Sequence, residues 1–238
     1  MGMIFEIKLA HPAKNALDAS LMAFVLDQLR EADGRPVLIT GSGNTFSAGL
    51  NLKTLTGFDG PAMRMFLDRL EHFVSAVYLY PGPTAAAING HAIAGGCVLA
   101  LCCDYRVAAA APDIKIGLNE IALGVRFPPR IHTVLSRRIP AQHHESMIMG
   151  ADIVDPLTAL ERGVIDAVSE DPVQNARDRL TKLGALPRDA YAGTKHDLRG
   201  RGETDLCPDA EHKKRLDEAA EAWVSDEVKN RMLAALRR

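Results

Sequence analysis

The chain is poor in aromatic residues, poor in cysteine and close to neutral, and each shortage removes a class of function. Aromatic residues make up 5% of its 238 positions, and the net charge is -2. A nucleic-acid-binding face needs basic residues interleaved with aromatics, and the sequence offers no such stretch. A near-neutral balance gives no electrostatic pull toward an anionic membrane. No apolar run approaches the ~20 residues that span a bilayer. Met1 to Ala10 mixes charge with alternation and lacks the apolar stretch of a signal peptide. The four cysteines, Cys97, Cys102, Cys103 and Cys207, form no CxxC and no Cys/His pairing at zinc spacing. Three of them share one apolar stretch, where cysteine acts as a small hydrophobe. The expectation is a cytoplasmic, reduced protein with no metal, no bound redox cofactor, no nucleic-acid partner and no membrane span.

What the chain does have is a 47% hydrophobic fraction, ordinary for a globular domain. Its length suits one large domain, or one domain with an appendage. Ile4 to Leu9 alternates apolar and polar residues like a half-buried strand. Leu21, Phe24, Val25, Leu26 and Leu29 recur at helical spacing. Val37 to Thr40 is a short apolar strand, and Gly41 to Asn44 reads as a flexible loop. Asp59 and Pro61 open a helix as N-cap and first-turn residue, continued by Met63, Phe66, Leu67, Leu70, Phe73, Val74 and Val77. Arg130 to Arg138 and Pro140 to Met149 read as further helices. From Pro172 the chain is helical by period, with breaks at Pro187 and Gly200 to Gly202 and final helices at 205–223 and 226–236. Strand–helix units in the first two thirds predict an α/β domain. The later shift to helix divides the chain into a core, 1–184, and a C-terminal helical region, 185–238. The run His212-Lys213-Lys214-Arg215 reads as a solvated helix face. His143 and His144 are adjacent and cannot share a helix face, which speaks against a metal pair there.

The stretch around which the rest is organised is Asn89 to Val107. A short apolar strand, Thr84 to Ile88, runs into the turn signal Asn89-Gly90. Ala94-Gly95-Gly96 then precedes an apolar helix-like run, Cys97 to Cys103. Glycines at a helix start let another backbone or a ligand come close. The first N–H groups of a helix lack partners, and its dipole favours negative charge there. Such a turn either stabilises a developing oxyanion or simply packs small residues in a core.

Two more stretches accompany it: Phe46-Ser-Ala-Gly-Leu-Asn-Leu-Lys53, and Gly117-Leu-Asn-Glu-Ile-Ala-Leu-Gly124. In this order and spacing the three resemble the crotonase (enoyl-CoA hydratase/isomerase) superfamily, and the resemblance covers nearly the whole chain. It implies a repeated ββα spiral with a C-terminal helical trimerisation region, assembled as a homotrimer or hexamer. It also implies that the backbone N–H groups of Leu50 and Gly95 form an oxyanion hole and that Glu120 is the catalytic base. Lys14, Ala16, Ser47, Ala48, Gly49, Asn51, Leu52 and Asn119 would contact substrate or its coenzyme A moiety, coenzyme A arriving as the substrate thioester and not as a cofactor. Where the family often has Asp, this chain has Asn51.

Proton abstraction beside a thioester carbonyl needs a base over the carbon and donors for the enolate oxygen. Glu120 lies among Ile114, Ile116, Leu118, Ile121 and Leu123, where burial raises a carboxyl pKa toward the useful range. Family hydratases carry a second glutamate where this chain has Val98. A single base can still move a proton within one substrate, so the resemblance points to isomerisation of 3-enoyl-CoA to 2-enoyl-CoA. The alternatives are a hydratase, another enolate-forming reaction, or a non-catalytic acyl-CoA binder. Asp104 reads as a structural acid at a helix end and His91 as a hydrogen-bonded turn residue, while Arg126 either caps the acyl pocket and selects a polar or short acyl group or, the favoured reading, points to solvent.

Overall fold

Two sheets share the strands, and the chain alternates between them. The computed structural model describes residues 3–200 and 210–237. The first sheet is parallel throughout, in the order β1 (Phe5–Leu9), β2 (Val37–Gly41), β4 (Thr84–Ile88), β6 (Tyr105–Ala109) and β9 (Ala167–Ser169). The second runs β3 (Thr45–Ser47), β5 (His91–Ile93), β7 (Ile116–Gly117) and β8 (Ile153–Val154), and its last pair is antiparallel. Each turn of the spiral places one strand in each sheet and then a helix. Thus β2 and β3 precede α3 (Leu52–Leu55) and α4 (Gly60–Tyr78), β4 and β5 precede α5 (Gly95–Cys102), and β6 and β7 precede α6 (Pro129–Arg138).

Local chemistry explains the elements. β2 and β4 are buried at every position, as continuous apolar runs in a sheet covered on both faces require. One face of the first sheet meets the main core. The other carries a smaller cluster of Leu38, Ala85, Ala87 and Val107 against Ala176 and Leu180 of α8 (Pro172–Gly184). α2 (Ala19–Ala32) begins where the Asp18 carboxylate accepts from Ser20 and Leu21 N–H, and ends on left-handed Asp33. The Asp59 cap of α4 accepts from Ala62 N–H, and the expected stripe from Met63 to Val77 is buried. In α2 the stripe is narrower than expected, since Phe24 is exposed.

Several expectations need correction. The 41–44 segment is pinned: Asn89 Oδ1 accepts from Gly41 N–H at 2.8 Å and Asn89 Nδ2 donates to Gly43 O at 2.9 Å. Residues 140–149 form a 3-10 turn, Ala141–His143, followed by a π-helical turn, Glu145–Met149. His212 is buried against Glu71 at 2.9 Å, so the basic run is solvated on three residues only. Cys207, Gly202 and the helix start expected at 205 lie outside the described residues.

The described part of the C-terminal region is helical: α9 (Arg188–Gly200), α10 (Ala210–Trp223) and α11 (Asp226–Ala235). α9 is fastened by charge. Asp104, just past α5, accepts from Lys195 Nζ at 2.8 Å, Arg199 Nη2 at 2.7 Å and Tyr191 OH at 2.9 Å. Arg199 Nη1 also donates to Tyr78 O and Cys102 O, and Arg138 to Leu101 O and Cys103 O. Cations thus gather on the carbonyl ends of α4 and α5, where the helix dipoles favour them. Burial would raise the Asp104 pKa, but Lys195 and Arg199 outweigh it and hold the carboxyl below its usual range. At Lys195 burial wins over the shared carboxylate, and the pKa falls to about 8. α10 packs along α4 through the Glu71–His212 pair and an Arg64–Asp217 contact of 2.5 Å.

Candidate functional site

The three stretches picked out from the sequence converge at the carboxyl ends of neighbouring parallel strands. Gly49-Leu50 follows β3, Ala94-Gly95 follows β5, and Asn119-Glu120 follows β7. Ligand sites in parallel sheets favour that edge.

The first two segments touch. Gly49 adopts φ +88, and a Cβ there would lie 3.1 Å from Gly95 N and 2.8 Å from Ile93 O. A Cβ on Gly95 would lie 3.2 Å from Leu50 Cδ2. At Gly96 a Cβ would run into the Ser47 carbonyl, so only glycine lets α5 start this close to β3. Among the described residues neither the Leu50 nor the Gly95 N–H donates a hydrogen bond. Leu17 brackets the segment instead, donating to Gly49 O at 2.7 Å and accepting from Asn51 N–H at 3.1 Å. Ala94, the N-cap of α5, holds φ 52, ψ -126, an unfavourable conformation for a residue with a Cβ, and donates to Gly117 O at 2.8 Å. That bond ties the start of α5 to β7, the strand that leads into Glu120.

Glu120 is 6% exposed, and its Oε2 has no hydrogen-bond partner among the described residues. Burial drives its pKa up to about 7, only partly offset by the backbone N–H groups of Glu120 and Asn119. Its charge reaches the buried thiol of Cys97, whose pKa burial raises to about 12. The Glu120 carbonyl accepts from Leu123 and Val125 N–H at 3.0 and 3.1 Å, which curls the chain after it into a tight turn. Asn119 Oδ1 is likewise buried and unpartnered among the described residues. A carboxylate with this pKa can take and return protons near neutrality.

The remaining predicted residues divide by role. Ala13, Lys14 and Asn15 are all left-handed, forming α1 (Pro12–Asn15), and the Lys14 side chain is exposed. Lys14 O accepts from Ala48 N–H at 3.1 Å. Ala16 is buried. Ser47 Oγ is committed internally, donating to Asn15 O at 2.8 Å and accepting from Gly49 N–H at 3.3 Å. Asn51 caps α3 by accepting from Thr54 N–H, a job any short polar side chain does, and Leu52 opens that helix. Val98 is buried in α5. Arg126 is 73% exposed, near Glu218, and His91 Nδ1 accepts from Lys115 N–H. Asp104 lies in the ion cluster under α9, a structural acid as expected.

Sequence reasoning missed Asn15. Its buried Nδ2 donates to Thr45 O at 2.8 Å and Ser42 O at 3.2 Å, while Oδ1 accepts from His11 N–H and Ser42 Oγ. This one amide fixes the left-handed turn against the segment leading into Gly49-Leu50. The available signal was weak: asparagine tolerates left-handed backbone and sits just after a proline turn.

A spiral of ββα turns with the three loops at one sheet edge defines the class, and comparison with known proteins agrees. The chain belongs to the enoyl-CoA hydratase/isomerase family, whose family model matches residues 2–229. It is 32% identical over 200 residues to mouse mitochondrial enoyl-CoA delta isomerase 1, covering 81% of this chain and 69% of that protein. The human counterpart is 30% identical, with 81% and 66% covered, so the chain spans about two thirds of the length of these relatives. A probable enoyl-CoA hydratase of Mycobacterium leprae is 29% identical over 93% of this chain and 86% of its own. The solved structure of human mitochondrial delta3-delta2-enoyl-CoA isomerase superimposes with a TM-score of 0.90 at 26% identity, covering 99% of this chain and 93% of that one.

Proposed function

We propose that this chain isomerises 3-enoyl-CoA to 2-enoyl-CoA with Glu120 as its single proton shuttle. The observation that carries the reading is a buried carboxyl of pKa about 7 with an unpartnered oxygen, in a site where Val98 is apolar. Ionised Glu120 takes a proton from the second carbon of the acyl chain. The electron pair spreads onto the thioester oxygen through the adjacent carbonyl carbon, and through the 3,4 double bond to the fourth carbon, and the Leu50 and Gly95 N–H groups stabilise the resulting dienolate at its oxygen. Glu120 then returns the proton to the fourth carbon, leaving the double bond between the second and third. Removing one such oxyanion donor typically costs about 3–4 kcal/mol of barrier. Hydration needs a water aimed at the third carbon as well, and Val98 offers it no partner.

Lys14, Ala16, Ala48, Gly49, Leu52 and Asn119 contact the thioester and its coenzyme A portion in this reading. Ser47 and Asn51 act through backbone, their side chains being engaged elsewhere. Assembly as a homotrimer or hexamer belongs to the same reading, and sedimentation tests it: a monomer at micromolar concentration contradicts it.

The deciding experiment compares 3-hexenoyl-CoA with crotonyl-CoA, using wild type and Glu120→Gln. Conversion of the 3-enoyl substrate should fall by roughly 10²–10⁴-fold in the variant. Crotonyl-CoA hydration should be negligible in both. Rapid hydration by wild type would establish a hydratase. Thioester binding without either reaction would leave a binder or another enolate chemistry.

A further inference from the structure

The turn after Glu120 is not held by its own repeat alone. Glu120 is followed by a 3-10 turn, Ile121–Leu123, and left-handed Gly124. The chain then runs through Val125 and Arg126 toward α6. α10 and α11 reach this segment from the far end of the sequence. Trp223, 3% exposed at the end of α10, donates its indole N–H to Arg126 O at 3.3 Å. Val228 of α11 is buried, and its Cγ2 lies 3.5 Å from where a Gly124 Cβ would be. The Arg231 guanidinium, paired with Glu227 at 2.7 Å, occupies the remaining space over Gly124. α11 also packs on α3, the helix that begins two residues after Leu50.

One helix therefore touches both halves of the site, the segment behind the base and the segment behind an oxyanion donor. We propose that Trp223 and Val228 are positioning residues: through Arg126 O and Gly124 they hold the 121–126 turn, and α11 thereby sets the spacing between Glu120 and the Leu50 loop. This rests on Glu120 being the base. Neither residue needs to touch substrate. The Glu71–His212 pair and the Arg64–Asp217 contact anchor α10 on α4 and so keep the arm seated.

The test uses the full chain carrying Trp223→Phe or Val228→Ala, with Leu180→Ala as a control. Leu180 lies in the separate cluster under α8, so its truncation destabilises the protein without reaching the site. Backbone exchange is read at Leu123 and Val125, whose N–H groups hold the Glu120 carbonyl. The expected result is exchange there faster by about tenfold or more in both positioning variants, as local opening becomes easier. On 3-hexenoyl-CoA, kcat should fall about 5- to 20-fold with KM within about twofold, the signature of a misplaced reacting group. The acid limb of the kcat–pH profile should move to lower pH, because a looser turn hydrates Glu120. Leu180→Ala should lower Tm and leave all three readouts unchanged.

Wild-type exchange at Leu123 and Val125 in both variants would overturn the proposal, as would equal effects from Leu180→Ala. If wild type proved inactive or Glu120→Gln stayed active, the reading of Glu120 would fall instead. The exchange measurement would still show whether the arm holds the turn.

Discussion

A buried carboxyl group with an unpartnered oxygen weakens the fold to the extent that it is ionised. Glu120 has an ordinary pKa near 4.5 in the unfolded chain and about 7 in the folded one. Below about pH 4.5 both states keep the proton and no penalty arises. As pH rises the unfolded state ionises first, and folded stability falls until about pH 7, by about 3 kcal/mol in all. Glu120→Gln should therefore match wild type near pH 4 and exceed it at pH 8, as urea unfolding at the two values will show; a constant difference contradicts the burial. In the proposed role of Glu120 the same titration sets the rate: kcat should rise with pH through about 7 as the carboxyl ionises. Glu120 was legible in the sequence because buried Ile116 and Leu118 lie within four residues of it, although Ile121, also expected to bury it, is exposed. Asn15 was not, because its partners Thr45 and Ser42 lie about thirty residues away and only the fold brings them near.

At the scale of elements, the start of α5 is where sequence and geometry pull apart. Ala94 carries a Cβ at φ 52, ψ -126, where glycine is favoured. Ala94→Gly relieves that strain and costs some unfolded-chain entropy, so a net gain of about 1 kcal/mol is expected in thermal unfolding. Destabilisation would mean that the alanine methyl packs better than its strain costs. Gly96→Ala acts oppositely, since its methyl meets the Ser47 carbonyl: a loss of about 1–3 kcal/mol and of the proposed activity is expected, measured by unfolding and turnover together. The long helices and the fully buried strands were readable because their period or apolar run persists. β5 and β7, of three and two residues, are too short to carry a period. β6 hides a buried arginine, whose Nη2 pairs with Asp166 at 2.7 Å. The π-helical turn at Glu145–Met149 has the composition of an ordinary helix and a different hydrogen-bond pattern.

Over the whole molecule, the C-terminal helices are joined to the core by buried charge. Asp104 serves two cations from α9, and removing its charge strands both. Asp104→Asn should cost about 3–5 kcal/mol at neutral pH. The folded pKa of Asp104 is lowered, so this contribution is present above the unfolded carboxyl range near 4 and fades as pH falls below it. Unfolding at pH 7 and pH 3 measures the difference, and a variant as stable as wild type at pH 7 excludes the role. Asp104 was recognisable from sequence as a structural acid, but its partners were not, being about ninety residues downstream. The α/β class and the ββα repeat followed from strand–helix alternation and from family resemblance, while the seating of α10 and α11 depends on pairs such as Glu71–His212 that no local pattern marks. The chain has a single tryptophan, and it is the one resting on the Arg126 carbonyl. Emission excited at the indole band therefore comes from one place, the joint between the C-terminal arm and the turn beside Glu120. A red shift on adding a thioester, or early in a denaturant titration, would report that joint opening with no label attached.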